Sequence, residues 1–213
     1  MKQFDTYIVN PEIESYISDL SPAYDPLVEE MEKLAEQLDF PIIGSQVGRF
    51  LYQITKISGA KKIFELGSGF GYSAYWFSKA LDDGGYIICT EHSADNHKIA
   101  EELFKKSDYF NRVKYKKGEA LSILKRQEEK FDIILNDVDK EYYPDVVELA
   151  AEKLSPGGLL ITDNMLWFGR VLSEDNSPST VGVKKFTELL FSRKDFMTTI
   201  IPIRDGISIS LKI

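Results

Sequence analysis

In Glu65-Leu66-Gly67-Ser68-Gly69-Phe70-Gly71-Tyr72-Ser73 a short apolar run, Lys62–Leu66, ends in three glycines at alternate positions and passes at once into a helical pattern. A strand that runs through a glycine turn into a helix is the opening unit of an open, parallel α/β sheet, whose ligands bind at the carboxyl ends of the strands. Outward from this turn the same alternation repeats. The expected strands are Lys62–Leu66, Tyr86–Thr90, Arg112–Lys116, Phe131–Asn136 and Leu159–Thr162. The expected helices between them are Tyr72–Leu81, Ala94–Lys106, Ala120–Glu128 and Tyr142–Leu154. Such alternation predicts a mostly parallel sheet with crossover helices on both faces.

The two ends depart from that rhythm. The first forty residues look helical and amphipathic: Pro26 suits a first helical turn, and Leu27, Met31, Leu34 and Leu38 fall on one stripe. Pro41 closes that helix, and Gln46–Ile57 predicts another. At the other end, helix Val181–Phe191 precedes two β-rich runs, Thr198–Ile203 and Ile207–Lys212, around Arg204-Asp205-Gly206. An Asp-Gly turn between β-rich runs predicts a hairpin, so an antiparallel pair completes a seven-stranded sheet. The polar run Ser173–Thr180 predicts a mobile loop. One domain over residues 1–213 is expected, with a helical cap at 1–57 and the sheet core at 60–213.

Composition narrows the classes. The 213 residues are 43% hydrophobic and 28% charged, as in ordinary globular chains, which excludes disorder. No apolar run approaches the ~20 residues needed to cross a bilayer, and Met1–Asp5 has no apolar signal core. A single cysteine, Cys89, cannot form an internal disulfide, so a reducing cytoplasm is expected and Cys89 is expected in the core. With 34 acids against 26 bases the net charge is −8, which weighs against a polyanionic partner.

The turn has the spacing G-x-G-x-G, and Tyr72 stands where a dinucleotide fingerprint needs its last glycine. A nucleoside ligand without a pyrophosphate therefore fits better than a dinucleotide. S-adenosylmethionine is such a ligand, its amino-acid part over the turn and within reach of Ser73. Glu91, ending the second strand, is placed to take ribose hydroxyls. A tight β–α turn that binds nothing is the other reading of the glycines.

Two later strand ends carry oxygen donors: Asn136-Asp137-Val138-Asp139-Lys140 and Thr162-Asp163-Asn164. In a parallel sheet they share the rim of Gly67. Asp137, Asp163 and Asn164 together suit a hard cation, Mg²⁺ or another such as Ca²⁺ or Mn²⁺. Turn chemistry accounts for Asp163-Asn164 taken alone, and helix capping for Asp137 and Asp139. Their coincidence on one rim favours the cation. Met165-Leu166-Trp167-Phe168 is either an acceptor wall, with Trp167 the best stacking group, or core. Lys114, Lys116 and Lys117 predict a solvated strand surface, and His97 a helix surface.

As a set, these motifs resemble the cation-dependent O-methyltransferases that include catechol and caffeoyl-coenzyme A O-methyltransferases and their small bacterial relatives. The likeness runs from about Ile42 to the C-terminus, through Ile43–Leu51, Glu65–Ser73, Gly118-Glu119-Ala120, Asp137–Lys140, Asp163–Gly169 and Asp205-Gly206-Ile207. It implies a Rossmann-like methyltransferase fold and a cytoplasmic homodimer. It also implies donor contacts from Ile43, Glu65, Gly67, Ser68, Gly69, Tyr72, Ser73, Glu91, Gly118, Ala120, Asp137 and Asp139, and His92, next to Glu91, is expected to border the adenine. The cation would be held by Asp137, Asp163 and Asn164, with Lys140 as general base beside Asp137, and Trp167 and Phe168 would contact the acceptor. The implied reaction is methyl transfer to a hydroxyl of a small catechol-like acceptor; some bacterial relatives instead methylate a hydroxylated tRNA uridine. Departures from the family pattern are His92 after Glu91, Asn136, and Phe168 where plant enzymes place a polar substrate contact. A lysine in water is protonated at neutral pH, so its role as a base requires the neighbouring dication and partial burial, both of which favour the neutral amine.

Overall fold

The computed structural model describes residues 7–20 and 25–213. Strands β1 (Lys62–Leu66), β2 (Tyr86–Glu91), β3 (Val113–Lys117), β4 (Phe131–Asn136), β5 (Leu154–Thr162), β6 (Phe196–Ile201) and β7 (Ile207–Lys212) form one sheet in the order β3-β2-β1-β4-β5-β7-β6. The first five are parallel; β7 runs antiparallel to both β5 and β6. The helices are α1 (Pro11–Asp19), α2 (Pro26–Leu38), α3 (Gly44–Ser58), α4 (Tyr72–Ala80), α5 (Ala94–Phe104), α6 (Ala120–Lys125), α7 (Tyr143–Lys153) and α8 (Pro178–Ser192). The strand order reverses between β1 and β4, the position at which open α/β sheets open a crevice.

The central strands have both faces covered, so each alternates its buried residues between two cores. Ile63, Ile133, Leu135 and Ile161 point toward α2, α3 and α4, where Met31, Leu51 and Phe77 meet them. Phe64, Ile134 and Leu160 point the other way, onto Val146, Val147, Phe186 and Leu190 of α7 and α8. Cys89 is fully buried in the first core, as expected. Among the described residues no helix is long and apolar enough to cross a membrane.

Several boundaries differ from those expected. The sixth helix ends at Lys125 rather than Glu128, because the Gln127 carbonyl accepts from Lys153 Nζ at 2.9 Å and its side-chain amide donates back to Ile123 at 2.6 Å. Part of the expected loop 173–180 is helix: Ser177 caps α8 and Pro178 takes its first position. The rest is tied down by Asp175, whose carboxylate accepts from the Ser177 N–H at 2.9 Å, the Ser177 hydroxyl at 2.9 Å and the Thr180 hydroxyl at 2.6 Å. Strand β6 starts at Phe196, paired with Lys212, and stops at Ile201, where the Ile203 N–H turns back to the Ile201 carbonyl. His97 is not a bare surface group; its ring packs edge-on to Tyr115 at 5.3 Å. Helical expectations falling on residues 1–6 and 21–24 lie outside the described residues.

Candidate active site

Strand β1 ends in backbone that only glycine adopts easily: Gly67, Gly69 and Gly71 all have positive φ, at 83°, 50° and 92°. Space demands it too. A Cβ on Gly67 would lie 2.4 Å from the Asp137 carbonyl oxygen, and one on Gly71 would lie 2.1 Å from the Tyr115 hydroxyl. The turn is anchored to both neighbouring strands. Ser68 donates its N–H to the Thr90 carbonyl at 2.9 Å, and Asp137 donates its N–H to the Leu66 carbonyl at 2.9 Å.

A cavity of about 870 Å³ opens above these strand ends. Its lining takes in Ile43, Gly67, Ser68, Gly69, Tyr72, Ser73, Glu91, His92, Gly118, Ala120, Asp137 and Asp139 of the expected donor contacts, together with Lys140, Asp163, Asn164 and Phe168. Two expected contacts lie elsewhere. Glu65 is fully buried one layer below, where its carboxylate accepts the Ser73 hydroxyl. Strand alternation explains this, since Glu65 points into the core that contains Cys89. Trp167 is also absent from the lining; it packs against the second core, and the Lys140 amine sits 5.7 Å from its ring centroid. Of the two aromatic residues expected at the acceptor, Phe168 lines the cavity and Trp167 does not. Residues given no site role by the sequence reading but present in the wall include Phe40, Asn96, Arg204 and Asp205. The Asp-Gly pair was legible as a turn; nothing local indicated that its carboxylate would reach the site.

Burial sets the electrostatics. Asp163 is 7% exposed, and burial followed by repulsion from Asp137 pushes its carboxyl up to about 7. Burial also raises Asp137, against the opposing pull of Lys140, whose amine lies 3.0 Å from its Oδ1. Burial again raises Asp205. Tyr143, beneath them, donates its hydroxyl to the Asp163 carbonyl at 3.0 Å. Among the described residues no group of three or more His, Cys, Asp or Glu side chains is placed to hold a metal ion. A set of two carboxylates and one amide oxygen still fits a hard cation, which takes oxygen ligands and would relieve the repulsion between the two carboxylates.

Burial likewise pushes the Glu65 carboxyl up to about 7. A raised carboxyl contributes stability that is present below its unfolded pKa and lost as pH rises through the folded one. The stability of the wild-type protein relative to Glu65→Gln should therefore fall between about pH 4.5 and 7, by up to about 3 kcal/mol. Urea unfolding of both proteins at pH 4.5, 6 and 8 measures it; a pH-independent difference would contradict the buried-acid assignment.

A Rossmann-like sheet with this strand order, a glycine turn and an acid ending β2 fit a nucleoside-binding site of the S-adenosylmethionine-dependent methyltransferase class. The chain belongs to the O-methyltransferase family, which it matches over residues 15–213. It is 30% identical over 185 residues to the catechol O-methyltransferase of Niastella koreensis, covering 84% of each chain. It is 26% identical to caffeoyl-CoA O-methyltransferase 2 of Zea mays, over 78% of this chain and 68% of that one. Among solved structures, the O-methyltransferase of Bacillus cereus in complex with SAH superposes with a TM-score of 0.87 at 28% identity, covering 95% of this chain and 97% of that one.

Proposed function

We propose that the chain transfers the methyl group of S-adenosylmethionine to one hydroxyl of a small aromatic acceptor with two adjacent hydroxyls, with a divalent cation at Asp137, Asp163 and Asn164. The observation that carries this reading is a pair of carboxylates, buried Asp163 and half-buried Asp137, lining the same cavity as Lys140 and the glycine turn. Catechol and caffeoyl-CoA acceptors in the names of the relatives support the same class.

Bound there, a divalent cation lowers the pKa of an adjacent hydroxyl and orients it. Lys140, held by Asp137 at 3.0 Å and between the rings of Tyr143 and Trp167, takes the hydroxyl proton at Nζ. Ser68, Ser73 and Glu91 hold the donor, with Glu65 fixing the Ser73 hydroxyl from below. Phe168 covers the acceptor ring. The acceptor oxygen then displaces the sulfonium, so alignment of the two reactants supplies most of the acceleration. Acidic side chains outnumber lysine and arginine in the cavity wall, which favours a cationic donor and a neutral acceptor over a nucleic acid.

Treatment with a chelator should lower methylation of a catechol at least 100-fold, and added Mg²⁺ should restore it. Product formation is followed with catechols, caffeoyl-type esters and hydroxylated tRNA as separate acceptors. Activity that survives chelation would remove the cation from the reading, and methylation of tRNA alone would replace the acceptor class.

A further inference from the structure

Asp205 lies in the turn between β6 and β7, far along the chain from the residues it meets. Its side chain is 7% exposed and its two oxygens have different partners. Oδ1 accepts the backbone N–H of Phe168, and Oδ2 accepts from Asn164 Nδ2 at 3.4 Å. The backbone of the same turn grips the loop after β5. Met165 donates its N–H to the Gly206 carbonyl and Leu166 donates to the Asp205 carbonyl, each at 2.9 Å. That loop is held in unusual backbone: Asn164, Trp167 and Phe168 have φ of 56°, 45° and 53°. Such conformations persist only where the surroundings enforce them.

The chemistry of the amide makes the Asn164 contact directional. A primary amide donates from its nitrogen and accepts at its oxygen, whereas a carboxylate only accepts. Left to itself beside Asp163 and Asp137, the Asn164 amide would turn its NH₂ toward those carboxylates. Asp205 competes for the NH₂ from the opposite end and leaves Oδ1 as the free end of the amide. We infer that Asp205 is a positioning residue that selects the amide orientation of Asn164, presenting its oxygen to the cation site and pinning the left-handed loop behind it. The inference rests on the proposed reading of Asp137, Asp163 and Asn164 as cation ligands.

The test uses Mn²⁺ binding to the full-length protein without acceptor, followed by the loss of free-ion paramagnetic resonance signal. Donor affinity is measured in parallel. Asp205→Asn keeps the shape and one acceptor oxygen for the Phe168 N–H, but no longer dictates which end of the Asn164 amide faces it. It should weaken Mn²⁺ binding about 10–100-fold, as loss of a partner that orients a ligand does, with donor affinity within about twofold of wild type. In an Asn164→Ala background the same change should cost nothing further. Asn164→Asp combined with Asp205→Asn should regain most of the Mn²⁺ affinity, because a carboxylate offers oxygen from either end; a defect in folding alone would not be rescued. Unchanged Mn²⁺ affinity in Asp205→Asn, an equal loss in the Asn164→Ala background, or no rescue by Asn164→Asp would overturn the role of Asp205. A wild-type protein that does not bind Mn²⁺ would overturn the cation-site reading itself, and this inference with it.

Discussion

Lys140→Ala should lower turnover about 10²- to 10⁴-fold, the range general bases contribute, while donor affinity changes less than about twofold. The Lys140 side chain lines the cavity. It reaches across one short turn to Asp137 Oδ1, and the rings of Tyr143 and Trp167 flank it at 5.4 and 5.7 Å. Its hydrogen bond among the described contacts is to Asp137, and it meets none of Ser68, Ser73 and Glu91, so most of the proposed donor contacts stay in place. Lys140→Arg separates the two jobs a cation could perform here. Arginine can keep the ion pair with Asp137, but it does not give up its proton in proteins. If Lys140 is the base, Lys140→Arg is as inactive as Lys140→Ala. If it only supplies positive charge, Lys140→Arg retains most of the activity. Single-turnover rates, with donor affinity measured by titration, decide between them.

Gly67→Ala should both destabilise the protein and abolish donor binding. Two costs combine at this position. Backbone at φ 83° is unfavourable for a side-chain-bearing residue by about 1–2 kcal/mol. The new Cβ would also sit 2.4 Å from the Asp137 carbonyl oxygen and 3.0 Å from its carbon, atoms of a neighbouring strand end with little room to retreat. Overpacking of that kind costs about 1–3 kcal/mol. Together they amount to about 2–5 kcal/mol, a fall in Tm of about 4–20 °C for a domain of this size. Gly84→Ala is the control. Gly84 has nearly the same φ, 81°, but no atom within 4 Å of the added carbon, so it bears the conformational cost alone. A Tm for Gly67→Ala no lower than that of Gly84→Ala would show that the β1–β4 contact yields easily. The functional effect follows from the same contact: displacing Asp137 moves the glycine turn and the acidic cluster apart, so donor affinity and any cation affinity should fall together.

Much of the architecture was legible because its signals are local. The alternation of Ile63, Phe64 and Glu65, or of Ile133, Ile134 and Leu135, marks strands buried on both faces, and the helical stripes of α2 and α3 mark the covering layer. Where boundaries slipped, a distant partner was responsible: Lys153 ends α6, and Lys212 starts β6. The site divides in the same way. Gly67, Ser73, Glu91, Asp137, Lys140, Asp163 and Asn164 all sit at strand ends or helix starts, so a parallel sheet brings them to one rim whatever else the chain does.

Side-chain direction was the harder question. Trp167 and Phe168 are adjacent and equally aromatic, and a loop carries no period to say which faces the ligand; left-handed backbone at both residues turns Phe168 into the cavity and leaves Trp167 against the core and beside Lys140. Glu65 stands next to the end of the strand that opens the glycine turn, yet the pleat turns it inward onto the Ser73 hydroxyl. The sequence by itself determined the layered sheet and the rim on which the glycine turn and the oxygen donors meet, because repeating patterns of two and 3.6 residues are written into neighbouring positions. Only the tertiary structure decided which end of the Asn164 amide is free, because the carboxylate that holds it, Asp205, arrives from a hairpin 41 residues away and is brought there by the pairing of β5 with β7.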